Sequence, residues 1–417
     1  MAHVEDRWYR TVKGPDGRLA KLRTARHGNG LRWRARYLDP DGQERNRSFA
    51  TKVAAEKFLT EVEHSKIRGS YRDPDAGRIT LRRYAEDVFL PAQSSDAVTR
   101  ERVESALRVH ILPGLGGKRL QELEAHPSLV QGWVSGMPLA PSSARRVFSL
   151  LSTIMRWAAR DKLISSNPCL QGRDGIRLPT VTRRKLEPWT PETVAKMRAE
   201  LPPRWQAMTD AGTGTGARQS ELFALAVGNI DFLRRRVHIR VQIKIVGGRL
   251  VFAAPKSKAE RSVPLARQTG AALAAHLQLF PAAEVTLPWH EPGTRRHGKP
   301  LTAKLLFTTE DGRALNRNGF NRVWRDARKT ARLGDDRANG CHMLRHVFAS
   351  TLVSRGIDPR TVAEYMGHTD GGALVLKTYS HLMPDAEDQA RRALEEALGA
   401  ASEPAIDRPA QDGGEIR

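Results

Sequence analysis

The sequence predicts a multidomain, mainly α fold with small β elements: an N-terminal three-stranded sheet plus helix, a helical middle domain and a mixed α+β C-terminal domain. Three observations point there. Pro-Asp-Gly turns in "KGPDGRL" and "LDPDGQE" flank the alternating stretch "LRWRARYL", a pattern of short strands joined by tight turns. Helical periodicity dominates from Ile79 to about residue 172. Beyond residue 189 helical patterns mix with one clear β region, and a chain of 417 residues is long enough for two or three cores.

In the first segment Trp33, Ala35 and Tyr37 fall on one face of a strand, and Arg32, Arg34 and Arg36 on the other. "TKVAAEKFLTEVEHSKI" then spaces Val53, Phe58, Leu59 and Val62 as a helix, with Thr51 as N-cap. Residues 1–66 make the first module, and "IRGSYRDPDAGR" (67–78) reads as a linker because it holds turn formers and no apolar period. The helical domain, 79–172, contains "TLRRYAEDVFLPA", "VTRERVESALRVHIL", "LVQGWVSGM" and "PSSARRVFSLLSTIMRWAARDKLI", with Arg145 and Arg146 among its basic positions. A basic second linker covers 173–188. The last domain, 189–398, opens with Thr190 as N-cap and Pro191 at the first helical position. Within it "RRVHIRVQIKI" alternates as one strand, "VGGR" turns, "LVFAAP" returns and "SVPL" follows. The stretch "LPWHEPGTRRHGKPL", around 288–301, reads as an inserted loop. The tail 399–417 has no apolar period and is expected to be disordered.

Composition narrows the function. Basic residues exceed acidic ones by 23, a field that gathers polyanions and favours nucleic acid over the alternative, an acidic membrane surface. No apolar run approaches the roughly 20 residues that span a bilayer, and "MAHVEDRWYR" lacks a signal peptide's apolar core, so a cytoplasmic protein is expected. Two cysteines, Cys169 and Cys341, provide neither a disulfide framework nor a four-cysteine zinc site.

The chemistry concentrates in the last 200 or so residues. "GTGTGAR" lacks the ending of a phosphate-binding P-loop and does not fit G-x-G-x-x-G, so its glycines are read as permitting close backbone approach. Arg218 follows them, with Glu221 one helical turn on for an ion pair. In "GCHMLRHVFAS", His342, Arg345 and His346 share one helical face. A zinc reading fails there because Met343 stands where a metalloprotease helix needs glutamate and a guanidinium would repel the cation. An anion-handling helix remains. "YMGHTDGG" adds His368 after a glycine that would end a helix, and "LKTYSH" adds Tyr379 as an accessible tyrosine, flanked by His381. A phenol can attack phosphorus if helped to lose its proton.

In chain order, "GTGARQSEL", "HMLRH", "MGH" and "LKTYSH" resemble the catalytic boxes of the tyrosine recombinases, or phage-type integrases. The resemblance spans the chain. It implies an arm-type DNA-binding β-sheet module at 1–66, a helical core-binding domain at 79–172 and a tyrosine-recombinase catalytic domain at 189–398. It implies Tyr379 as a nucleophile that forms a 3′-phosphotyrosyl bond, Arg218 and Arg345 as holders of the phosphate, His342 in proton transfer and His368 on the phosphate. Lys256 is implied as the acid for the leaving oxygen, with Lys258 as its rival, while Glu221, His346 and His381 would support. Arg32, Arg34, Arg36, Arg145 and Arg146 are the candidate DNA contacts. The segment from His368 to Tyr379 is a residue or two longer than the family spacing and holds paired glycines, which leaves open a tyrosine delivered by a flexible segment.

The function implied is a site-specific recombinase that needs neither metal nor other cofactor and integrates or excises a mobile element. Its expected partners are double-stranded attachment-site DNA, three further copies in a homotetramer, and a directionality or DNA-bending factor; no membrane is involved, and the bacterial or phage-encoded enzyme would act at the nucleoid. A type IB topoisomerase, or a DNA-binding regulator with a dead site, is the alternative.

Overall fold

The computed structural model describes residues 2–13, 18–69, 71–73, 75–94, 96–171, 175–182, 187–257, 259–334, 339–383 and 386–399. The chain divides into two compact units, Met1–Thr182 and Arg183–Arg417.

The first unit begins with five strands: β1 (His3–Asp6), β2 (Tyr9–Lys13), β3 (Leu19–Arg23), β4 (Trp33–Leu38) and β5 (Glu44–Phe49). β1, β4 and β5 form an antiparallel three-stranded sheet, and β2 pairs with β3 as a separate ribbon. Helix α1 (Lys52–Ile67) is capped by Thr51, whose side chain accepts from the Ala54 N–H. Ala35 and Tyr37 on β4 are buried against Ala55, Leu59 and Val62 of α1. Val53 instead points to solvent, because it lies outside the stripe that faces the sheet.

The rest of this unit is helical: α2 (Leu81–Tyr84), α3 (Ala97–Ala106), α4 (Leu112–Leu115), α5 (Leu120–Ala125), α6 (Pro127–Ser135) and α7 (Pro141–Arg160). Helix α7 supplies its spine by burying Ala144, Val147, Phe148, Leu151, Ile154, Met155 and Ala158 at helical spacing. Tyr84, Phe89, Leu107, Ile111 and Leu120 close around it. Arg145 and Arg146 lie on its outer face.

The second unit starts with α8 (Pro191–Ala199), whose N-cap is Thr190, then α9 (Pro203–Thr215) and α10 (Gln219–Leu222). Strands β6 (Ile230–Asp231) and β7 (Arg236–Ile239) are followed by the hairpin β8 (Gln242–Val246) and β9 (Arg249–Ala253), then β10 (Arg261–Pro264). The alternating run expected as one strand is therefore two. β7 pairs with β6 and β10, whereas β8 pairs only with β9, so the chain changes sheets at Arg240–Val241. Helix α11 (Arg267–Leu279) leads to β11 (Ala283–Pro288) and β12 (Pro300–Leu305), which pair antiparallel. The expected inserted loop is thus the tip of a hairpin, pinned by a buried Trp289 and by the His290 N–H bonding to the Phe252 carbonyl at 2.7 Å.

Helices α12 (Arg317–Thr330), α13 (His342–Ser354), α14 (Pro359–Met366), α15 (Ala373–Tyr379) and α16 (Ala386–Gly399) complete the unit. Residues 400–417, expected to be disordered, lie outside the described residues. α9 and α13 approach closely because α9 is glycine-rich where they meet. A Cβ on Gly212 would lie 2.6 Å from Leu344 Cδ1, and one on Gly216 would collide with the Phe348 ring. Gly216 also adopts φ +61°, ending α9 in the left-handed region. Among the described residues no helix is long and apolar enough to cross a membrane.

Candidate active site

The turn after α9 delivers Arg218 in extended conformation at the start of α10. Its backbone N–H donates to Glu221 Oε2 at 2.8 Å, and its guanidinium donates to Glu221 Oε1 at 3.0 Å. Glu221 is 1% exposed and does not face Arg218 alone. Arg261, at the start of β10, donates through Nη2 to Oε2 at 2.6 Å and through Nη1 to Oε1 at 3.1 Å. Burial alone would raise the Glu221 pKa, but the bonds and charge of Arg261, with those of Arg218, hold it below the ordinary value. Sequence reasoning missed Arg261. It sits 40 residues from its partner, and no local period announces such a pair.

The shared helical face expected of His342, Arg345 and His346 is present on α13. Arg345 is 2% exposed and is held by neutral oxygens: Nη1 donates to the Gly216 carbonyl at 2.6 Å, and Nη2 to the Met366 carbonyl at 2.5 Å. Arg218 Nη2 donates to the neighbouring Gly367 carbonyl at 3.2 Å. These last carbonyls of α14 lack partners within the helix and carry its negative dipole end, so they suit cations. Gly367, at φ +65°, stops the helix there. Burial first, then the charges of Arg218 and Arg261, lowers the Arg345 pKa to about 9, which still leaves a cation at neutral pH.

Next to the glycine, His368 places Nε2 2.9 Å from Arg345 Nη2, while its Nδ1 is buried without a hydrogen-bond partner. Burial, then Arg345 and Arg218, depresses its pKa to about 4. The other two histidines follow the same logic. His342 reaches about 4 through desolvation and then the same two arginines, a shift that solvent weakens because the residue is exposed; His346 reaches about 4 through desolvation, His342 and Arg345. All three imidazoles are neutral at pH 7, each with one donor and one acceptor nitrogen.

Tyr379 corrects the expectation of an accessible phenol. It is 2% exposed, because Val375 and Tyr379, one turn apart on α15, both pack into a core with Phe348, Val353 and Val362. Its hydroxyl lies 2.6 Å from Nδ1 of His346, not against His342, whose ring instead packs edge-on to His346 at 4.8 Å. Burial raises the Tyr379 pKa to about 12 despite the opposing charge of Arg345. Nor does a bare flexible segment carry the tyrosine. Gly371 and Gly372 take φ +64° and +100°, Asp370 Oδ2 accepts the Leu374 N–H at 2.8 Å, and α15 begins.

One cleft of about 490 Å³ gathers these groups: Arg218, Lys256, His342, Arg345, His346, His368 and Tyr379 all line it. Glu221 lies behind Arg218. Lys256 is exposed on the strand connection after β9, and its rival Lys258 lies outside the described residues. His381 is exposed beyond the end of α15 and is not among the residues lining the cleft. Among the described residues no group of three or more His, Cys, Asp or Glu side chains could hold a metal ion.

The candidate DNA contacts of the N-terminal sheet are already paired. Arg32 binds Asp6 at 2.8 Å and lies over the Trp33 ring at 4.7 Å. Arg36 pairs with Glu5 at 3.1 Å and Glu44 at 3.2 Å, and Arg34 lies 3.9 Å from Glu5. Arg145 donates through Nε to the Pro179 carbonyl at 2.8 Å.

A cleft of clustered guanidiniums, neutral imidazoles and a phenol suits chemistry on a phosphate ester. The sequence profile of the phage integrase family matches residues 192–385, and that of the phage integrase N-terminal domain matches 17–69. The integrase of Mycobacterium phage L5 is 25% identical over 362 residues, covering 84% of this chain and 90% of the phage protein. Tyrosine recombinase XerC of Herpetosiphon aurantiacus is 30% identical over 182 residues, covering 44% and 49% of the two chains. Among solved structures, the Tn1549 transposon integrase in complex with transposon right-end DNA has a TM-score of 0.62 at 19% identity, covering 77% of this chain and 100% of that one. A lambda integrase tetramer bound to a Holliday junction has a TM-score of 0.53 at 16% identity, covering 84% and 92%. The chain belongs to the phage-type integrase family of tyrosine recombinases. It is a site-specific DNA recombinase, an enzyme that cleaves and rejoins DNA strands to integrate or excise a mobile element.

Proposed function

We propose that Tyr379 is the nucleophile of this recombinase and that the cleft works as follows. The phenol oxygen attacks a DNA phosphorus and forms a 3′-phosphotyrosyl ester as the bond to the 5′-oxygen breaks. The phenol proton passes to Nδ1 of His346, with His342 packed behind that ring, and Lys256 protonates the departing 5′-oxygen. Arg218 and Arg345 hold the non-bridging oxygens as charge concentrates on the phosphorane, and His368, whose buried Nδ1 has no partner in the free cleft, adds a donor. Attack by the 5′-hydroxyl of another strand reverses these steps and restores the diester. Glu221 and Arg261 hold Arg218 in place.

The convergence of side chains from five separated segments on one cleft carries this reading. The acid–base balance fits it. In the free cleft a phenol at about 12 faces an imidazole at about 4, so the proton stays on Tyr379. Desolvation is the main cause of the His346 depression and the charge of Arg345 adds to it, so a phosphate held beside Arg345 offsets that charge and makes the imidazole a better base. The enzyme is thereby armed by its substrate.

Double-stranded attachment-site DNA is the partner, with four copies joining two sites, residues 79–172 gripping the core site and 1–66 an arm site. Directionality or bending factors, and action at the bacterial nucleoid, complete the reading. A suicide substrate nicked beside the crossover point, built from repeats flanking the gene, tests it. Wild type is expected to trap a covalent protein–DNA adduct and Tyr379→Phe none. Absence of an adduct with wild type sinks the proposal, and an adduct followed only by supercoil relaxation would assign a topoisomerase instead.

A further inference from the structure

The N-terminal module has two basic surfaces, and they differ in what their charges already do. On the sheet face Arg34 and Arg36 share Glu5, Arg36 also meets Glu44, and Arg32 is occupied by Asp6. The β2–β3 ribbon is the opposite case. Arg10, Lys13, Lys21 and Arg23 are all exposed, and among the described residues none of the four makes an ion pair. No carboxylate occurs on either strand.

The register distributes these cations over both ribbon faces. Lys13, Lys21 and Arg23 share one face with Thr11, while Arg10 lies on the other beside Val12 and Leu22. The base of the ribbon is fixed. The Thr24 N–H donates to the Trp8 carbonyl at 2.9 Å, Tyr9 Oη meets His27 Nε2 at 2.9 Å, and the Arg32 guanidinium lies 5.0 Å from the Tyr9 ring centroid. An anchored two-stranded ribbon with cations on both faces fits the major groove of B-DNA, about 12 Å wide, with phosphates on either wall.

We infer that the β2–β3 ribbon, rather than the arginine row of β4, is the duplex-DNA contact of the N-terminal module. The inference rests on the recombinase reading but concerns a different part of the chain. Arginines held by carboxylates must lose those partners before they gain a phosphate, so they release few counterions; ribbon cations start free. The rival role for the ribbon charges is protection of its two open strand edges against aggregation.

The test uses the full chain and a random-sequence 40-bp duplex pool, with affinity measured across a salt series. Each phosphate contact contributes roughly 0.9 to the slope of log K against log salt. The variant Arg10→Gln/Lys13→Gln/Lys21→Gln/Arg23→Gln is expected to lower the slope by about 3 to 4 with an unchanged melting temperature, and Arg34→Gln/Arg36→Gln to leave it nearly unchanged. An unchanged slope in the ribbon variant, or loss of slope in the sheet variant instead, overturns the inference. If wild type binds the duplex while the ribbon variant keeps its slope, only this inference fails; if wild type binds no duplex, the recombinase reading falls with it.

Discussion

The arginines of the candidate cleft and those of the N-terminal sheet are both buried or half-buried and both held by oxygens of the protein, yet electrostatically Arg345 and the pair Arg32 and Arg36 are opposites. Arg345 is fixed by the carbonyls of Gly216 and Met366, neutral groups that satisfy its donors and leave its charge intact. Arg32 and Arg36 are fixed by Asp6, Glu5 and Glu44, and their charge is cancelled where they stand. Orientation by dipoles preserves attraction for an incoming anion, whereas orientation by carboxylates removes it. Even Glu221, the buried carboxylate behind the cleft, is outnumbered by Arg218, Arg261 and Arg345.

This contrast can be broken at several points. The largest effect is expected from Glu221→Gln, which leaves Arg261 and Arg218 around a neutral side chain. Removing one partner of a buried ion pair costs about 3–5 kcal/mol, to be read as a lowered midpoint in urea unfolding. A midpoint within error of wild type would show that Arg261 finds another acceptor. Next is Arg345→Lys, which keeps the charge but cannot span both carbonyls and a phosphate. Cleavage of a nicked substrate is expected to slow by about 10²–10³-fold. Wild-type rates would mean that charge alone suffices.

The third effect concerns pH. His342, His346 and His368 each have a folded pKa near 4 against about 6.5 unfolded, so between these values the unfolded chain binds more protons. Stability is therefore full above about pH 6.5 and declines as pH falls toward 4. After allowance for solvent screening, a loss on the order of 2 kcal/mol between pH 7 and pH 5 is expected in wild type, and less in His346→Phe/His368→Phe. Equal losses in both would place the acid sensitivity elsewhere.

Local chemistry was legible in the sequence and long-range partnership was not. The i, i+3, i+4 spacing put His342, Arg345 and His346 on one face, Thr51 and Thr190 cap their helices, and the glycine before His368 ends α14. Each depends on residues within one turn of one another. Arg261 was invisible because its meaning comes from Glu221, which β10 reaches only after pairing with β7. Tyr379 looked accessible because its sequence neighbours are polar, but its burial comes from α13 and α14. The break at Arg240 follows the pairing of β7 and β8 with different partners, something alternation within one strand cannot express. His346 was expected to support the site, and only the fold puts it on the phenol.

The glycines of α9 have a further consequence for manufacture of the site. Arg218 follows the end of α9 and Arg345 rides on α13, so the approach of the two helices sets the spacing of the backbones that carry the two guanidiniums. Where Gly212 meets Leu344 and Gly216 meets Phe348, there is no room for a methyl group. Under the proposed mechanism, the setting of the two phosphate-holding helices is gauged by two absent side chains, as the thickness of a shim sets the gap of a tool.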